Sequence, residues 1–168
     1  MELSGDGIVL RPWHANDESA VYEACQDPEI QRWIPVIPRP YTRDNARAFV
    51  NGHLETGHQF AITEEARVLG AIGMRVSEQM TGHIGYWCAP DARGRGVTTS
   101  ALRLLSRYAL DELAVERLEL VTDPENRASQ RVAEKAGFRR GILRSHLRHP
   151  DGRRRDSVMF SLLPGELL

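Results

Sequence analysis

Residues 90–100 read "PDARGRGVTTS" and follow the apolar run "IGYWCA" at 84–89. Pro90 ends the preceding strand, because it has no amide hydrogen to give to a ladder. Gly94 and Gly96 then let the backbone turn where side-chain-bearing residues are strained. The sixteen residues after them, "TTSALRLLSRYALDEL" at 98–113, place their apolar side chains at helical spacing. "VERLELVT" at 115–122 reads as a further strand. A strand, glycine loop, helix and strand in that order form a crossover, which predicts a parallel pair of 83–89 beside 115–122.

On the N-terminal side, "IVLRPW" at 8–13 reads as a first short strand closed by Pro12. Asn16 or Asp17 is suited to cap a helix running to about Gln26, with Ala20, Val21, Ala24 and Cys25 on its inner face. "DPEIQRWI" at 27–34 predicts a short helical turn, which the three prolines of "PVIPRPY" at 35–41 stop from continuing. Thr42 opens a second helix through about Glu55, with Ala46, Phe49, Val50 and His53 at helical spacing. "HQFAIT", "VLGAIGMRV" and "GHIGYWCA" predict three strands joined by turns at 64–66 and 77–82. On the C-terminal side, "NRASQRVAEKAG" at 126–137 predicts a helix stopped by Gly137, and two last strands flank "HPDG" at 149–152. The whole implies an α/β fold: a mixed, mostly antiparallel sheet with one central parallel pair, flanked by helices.

A chain of 168 residues without repeats or linkers is read as a single domain spanning 1–168. No apolar stretch approaches the roughly 18 residues that cross a bilayer, so no membrane role is expected. The opening "MELSGDGIVLRPW" lacks the basic-then-apolar order of a secretion signal. Cys25 and Cys88 are too few for a disulfide framework, and a cytoplasmic location is the default expectation. A net charge of −1 argues against direct nucleic-acid binding as a general role. Residues 139–155 nevertheless carry seven arginines against one aspartate, a solvated hairpin surface or a landing site for phosphate or an acidic partner.

The glycine loop leaves the carboxyl end of a strand in an open sheet, where ligands favour binding. Its glycines bare successive amides, and the first amides of the following helix have no internal partners. Those amides, the helix dipole, the charges of Arg93 and Arg95 and the hydroxyls of Thr98, Thr99 and Ser100 suit a diphosphate. A Walker loop is excluded because no lysine follows the glycines, and a dinucleotide fingerprint because Thr99 stands at its third glycine position.

A third pattern fits. Residues 84–102, "IGYWCAPDARGRGVTTSAL", resemble the coenzyme-A-binding segment of the GNAT superfamily of N-acyltransferases. Arg93, Gly94, Arg95, Gly96, Val97 and Thr98 occupy that motif, with Thr98 in place of the usual small residue. "LRPWHANDESAVYEACQDPEIQRWI" at 10–34 is similar to the opening of the RimJ/RimL-type branch. "PENRASQRVAEKAGFRRGILR" at 124–144 and "DGRRRDSVMFSLL" at 151–163 resemble its later segments. The resemblance implies the GNAT fold and transfer of an acetyl group from acetyl-CoA directly to a primary amine, with the N-terminal α-amine of a protein as the expected acceptor. A homodimer is compatible with it. A small-molecule or polyamine acetyltransferase and a non-catalytic acyl-CoA-binding module are the alternatives.

Such a transfer needs a polarised thioester carbonyl, a stabilised leaving thiolate and a neutral amine. For the first, the resemblance implies a backbone amide at Trp87 or Cys88 acting as oxyanion donor. For the second, the tyrosine of many superfamily members would fall on Ala133 and is missing, and the RimL-type resemblance instead implies Ser129, three residues after the helix cap Asn126, as the candidate acid. Asn126 and Ser129 are also placed at the cofactor. For the third, His83 and Glu29 are candidate bases, with His53 and His58 behind them. The resemblance to this branch implies that residues 27–41 line the amine pocket, with Trp33, Ile34 and Tyr41 as apolar walls and Asp27 or Glu29 attracting a cation. No Cys/His spacing suggests a metal.

Overall fold

A computed structural model describes residues 1–52 and 57–168. The first strands, β1 (Leu3–Gly5) and β2 (Ile8–Arg11), form a hairpin absent from the sequence expectation. Its two turn residues, Asp6 and Gly7, both have positive φ, 52° and 79°, the geometry that matches the natural twist of paired strands. The first helix, α1 (Glu18–Ala24), begins after a 3-10 turn at Ala15–Asp17. Asp17 does not cap it by side chain; its carboxylate instead takes two hydrogen bonds from Arg11, at 2.8 and 2.9 Å, and one from the His14 amide. This half-buried pair ties the end of β2 to the start of α1.

Asp27 caps α2 (Pro28–Trp33), with Pro28 in the first turn, where its missing amide costs nothing. Thr42 and Asn45 form a reciprocal capping box on α3 (Arg43–Val50). That helix ends five residues short of the expected Glu55, with Asn51 and Gly52 in the turn; His53 lies outside the described residues. β3 (His58–Glu64), β4 (Arg67–Val76) and β5 (Thr81–Cys88) follow as antiparallel neighbours. Then come α4 (Val97–Asp111), β6 (Arg117–Thr122), α5 (Arg127–Lys135), β7 (Arg139–Arg148) and β8 (Arg154–Leu162).

Among the described residues, eight strands make one sheet in the order β1-β2-β3-β4-β5-β6-β8-β7, with β5–β6 as its parallel pair. This is the mixed sheet that the crossover implied, with one correction. The pair is in register only over Thr81–His83 against Arg117–Glu119. Beyond His83, β5 continues beside β4 to Cys88 while β6 continues beside β8. The strands part, and the sheet is open between them.

Successive side chains of a strand face opposite sides, so each face of the sheet has its own core. On one side α4 inserts Val97, Ala101, Leu102, Leu105 and Ala109 against Ile72, Met74, Leu118, Leu120 and Phe160. On the other, α1, α2 and α3 bury Val21, Ile30 and Ala46 with Ala71 and Trp87. At the far edge, β7 carries a register irregularity between Leu143 and Leu147, and Ser145 there has φ 49°.

Leu102 is fully buried in the α4 core. Leu102→Ala is expected to cost about 2–5 kcal/mol, read from urea unfolding midpoints. A loss below about 1 kcal/mol would mean that α4 is not the helix on which this core is built.

Candidate functional site

The parted strands, the start of α4 and the start of α5 enclose a cleft of about 350 Å³. It is lined from both faces of the sheet: Tyr86 and Cys88 from the α4/α5 side, and Ile30, Trp33, Ile34 and Trp87 from the α1/α2/α3 side.

The backbone of β5 follows from its pairing. The Ala89 amide donates to the Leu69 carbonyl at 2.9 Å. In an antiparallel pair alternate residues point their amides at the partner, so Trp87 also turns toward β4. The amides of Tyr86 and Cys88 therefore point the other way, into the gap that β6 has left. Of the two expected oxyanion donors, Cys88 has this orientation; Trp87 instead contributes its ring, stacked 6.4 Å from that of Trp13. Burial holds the Cys88 thiol above its ordinary pKa, against a hydrogen bond with Thr98 that lowers it. A protonated, half-buried thiol is a poor nucleophile.

Gly94 and Gly96 have φ of 75° and 78°, and Gly96 is the N-cap of α4. An added Cβ would meet nothing within 4 Å at either glycine, so backbone conformation and not crowding demands glycine there. Arg93, Gly94, Gly96, Val97, Thr98 and Thr99 all line the cleft, as do Asn126 and Ser129 across it. Asn126 caps α5 by accepting from the Ser129 amide at 3.2 Å. Two helix N-termini thus converge on one cavity, and free amides at such ends favour anions. Arg131 and Lys135 on α5 also line it, cations that sequence reading does not single out. Bare glycines, hydroxyls, converging amides and these cations fit a coenzyme A diphosphate and its pantetheine arm.

The two arginines of the loop are engaged with carboxylates. Arg93 pairs with Asp27 at 2.6 Å, and Arg95 with Glu64 at 2.6 Å outside the cleft lining. Burial raises the Asp27 carboxyl, but Arg93 and the Ile30 amide outweigh it and hold it below its usual value. Asp27 is therefore a brace between the glycine loop and α2, not a free attractor for an amine. A second brace, Arg32 to Glu125 at 3.1 Å, ties α2 to the segment leading into α5.

Tyr86 is a further residue that sequence reading misses. Its phenol oxygen lies 3.0 Å from Ser129 Oγ and 3.3 Å from the Ser129 carbonyl oxygen. A signal is present: Tyr86 stands two residues before Cys88, hence on the same face of β5. Glu29 lines the cleft and accepts a hydrogen bond from the Trp33 indole at 3.0 Å. Other expected residues lie elsewhere. Tyr41 is buried among α1 and α3 with its hydroxyl bonded to Cys25, because the chain folds inward after the prolines. His83 is half exposed at the last parallel rung, 3.5 Å from Glu119, outside the cleft lining. His58 packs edge-on against Tyr108 of α4. Of the arginine hairpin, Arg139 pairs with Glu166 and Arg155 with Asp151, while Arg148 and Arg154 donate to carbonyls of their own hairpin.

Comparison with known proteins supplies the remaining facts. Residues 8–139 match the family described as acetyltransferase (GNAT) domain. YdaF of Bacillus subtilis, provisionally named a ribosomal N-acetyltransferase, is 32% identical over 151 residues, covering 82% of this chain and 79% of its own. A GNAT-family acetyltransferase from Bacillus anthracis superposes with a TM-score of 0.88 at 25% identity, over 97% of this chain and 98% of that one. Mycobacterium smegmatis RimJ, solved in complex with CoA-disulfide, shares the fold with a TM-score of 0.82 at 23% identity, over 99% and 87% of the two chains.

Gly96→Ala is expected to destabilise the protein by about 1–2 kcal/mol, the cost of a left-handed backbone at a residue with a Cβ. It should also weaken coenzyme A binding at least tenfold in calorimetry, since the α4 amides would shift. A variant that melts lower but binds unchanged would show that this helix start is not the grip.

Proposed function

The chain belongs to the GNAT family of acetyltransferases and takes acetyl-CoA as its donor, and from that premise we propose that its acceptor is an α-amine, such as a protein N-terminus. Acetyl-CoA supplies the activated acetyl group and a sulfur leaving group. The residues of this chain supply position, polarity and proton handling.

In this reading the amides of Gly94–Thr99 and the start of α4 hold the diphosphate. The Tyr86 and Cys88 amides face the thioester arm in the open gap, and a donor fixed in place needs no reorganisation as charge develops. Ser129, in the first turn of α5, meets the departing sulfur, which also feels the positive end of that helix. The acceptor approaches from the opposite face, past Trp33, Ile34 and Glu29. The gap runs through the sheet, so donor and acceptor reach the same point from different sides.

One observation carries the choice of acceptor. Glu29 is the sole carboxylate among the described residues lining the cleft, and it is exposed to solvent and shared with the Trp33 indole. No second carboxylate and no histidine stands beside it among the described residues of the lining. At pH 7 an α-amine of pKa ~8 costs about 1.4 kcal/mol to neutralise, and a lysine of pKa ~10.4 about 4.6 kcal/mol. The site is equipped for the former.

Thiol release from acetyl-CoA is expected to run at least tenfold faster, as kcat/KM, with a peptide whose α-amine is free than with the same peptide blocked there and offering a lysine. The reverse order would overturn the α-amine reading while leaving the donor site intact. Ser129→Ala is expected to lower kcat by about tenfold or more with coenzyme A affinity changed less than threefold, in line with the range for a group acting on a proton or developing charge. Unchanged kcat would remove Ser129 from the chemistry.

A further inference from the structure

We propose that Tyr86 is the positioning residue for Ser129: its phenol donates to Ser129 Oγ and so turns the serine's own proton into the cleft. The inference rests on the reading of Ser129 given above and names what makes that hydroxyl competent.

A free serine hydroxyl rotates, and in a helix it commonly bonds back to a carbonyl of the preceding turn. Ser129 therefore needs something to direct it. The phenol of Tyr86 is the group in contact, at 3.0 Å from Oγ, and it comes from β5, 43 positions away in sequence. Burial pushes the Tyr86 pKa up to about 12, against a smaller lowering by the Ser129 hydrogen bond, so the phenol keeps its proton at neutral pH.

Proton counting then leaves two arrangements. In one, the Tyr86 proton lies on the 3.0 Å contact to Ser129 Oγ, and the serine proton is free to point at a departing sulfur. In the other, the Tyr86 proton goes to the Ser129 carbonyl at 3.3 Å and the serine proton turns back onto the phenol. The first is favoured by the shorter contact and by the carbonyl's position inside α5, where the helical ladder already uses it. The position that the superfamily's tyrosine would take on α5, Ala133, is fully buried in the core. A phenol from the neighbouring strand reaches the first turn of that helix instead.

No proton leaves Tyr86 in this scheme. The thioester C–S bond breaks as the amide C–N bond forms, the amine's proton passes to the base, and Ser129 gives a hydrogen bond to the sulfur. The Tyr86 phenol acts on the sulfur only through Ser129.

Tyr86→Phe keeps the ring and removes only the hydroxyl, so the cleft retains its shape. Tyr86→Phe, Ser129→Ala and the double variant are compared by kcat, by coenzyme A affinity in calorimetry and by melting temperature. The expected result is a five- to twentyfold fall in kcat for Tyr86→Phe, coenzyme A affinity within threefold of wild type, and no further fall when it is combined with Ser129→Ala. A kcat equal to or above wild type would show that the phenol holds the serine proton back, and would overturn the proposal. Falls that multiply in the double variant would overturn it as well, because the two hydroxyls would then act separately. If Ser129→Ala itself leaves kcat unchanged, it is the underlying reading of Ser129 that fails, and the two failures are distinct.

Discussion

The site depends on a pairing that stops. β5 and β6 hold three residues in parallel register and then separate, each kept in the sheet by its other neighbour. Had they stayed paired, the Tyr86 and Cys88 amides would be spent on the ladder. Because they part, those polar groups face open space beside α4, whose own first amides are also without helical partners. The core under α4 fixes that helix, and the helix fixes the opening. The cleft is thus a consequence of strand geometry, with the side chains adding detail.

Most of this is legible in the amino-acid sequence. The strand, glycine loop, helix and strand are consecutive, so local rules suffice to find them, and the helix caps Thr42 and Asn126 announce themselves by residue type. What escapes is either very short or tertiary. β1 has three residues, below the length at which alternation is readable, although Asp6-Gly7 signals its turn. The contact of Tyr86 with Ser129 joins β5 to α5 across the whole of α4 and β6, and no spacing rule reports that. Tyr41 is misplaced for a related reason: an aromatic ring beyond a proline-rich loop suits a pocket wall or a core equally, and only packing against Cys25 decides.

Charge at the cleft is distributed differently from its first appearance. Arg93 and Arg95 look in sequence like phosphate ligands, yet each is matched to a carboxylate from another element. Exposed pairs of this kind contribute little to stability. Their value lies in where they attach: Arg93–Asp27 and Arg32–Glu125 fasten the two ends of α2 to the two sides of the cleft. Since α2 also presents Glu29 and Trp33 to the cleft, that side of the lining is referenced to the same loops that border the other.

The irregular turn of β7 bears on how the molecule behaves in a crowd of its own kind. An open sheet ends in two strands with unsatisfied backbone groups, each a template for a stranger's strand. Here one border is only three residues long, and the other is kinked near Ser145 and studded with guanidinium groups. Fibre-like stacking finds no straight, neutral rail at either border, and the exposed Ile142 on that strand is tolerated in consequence.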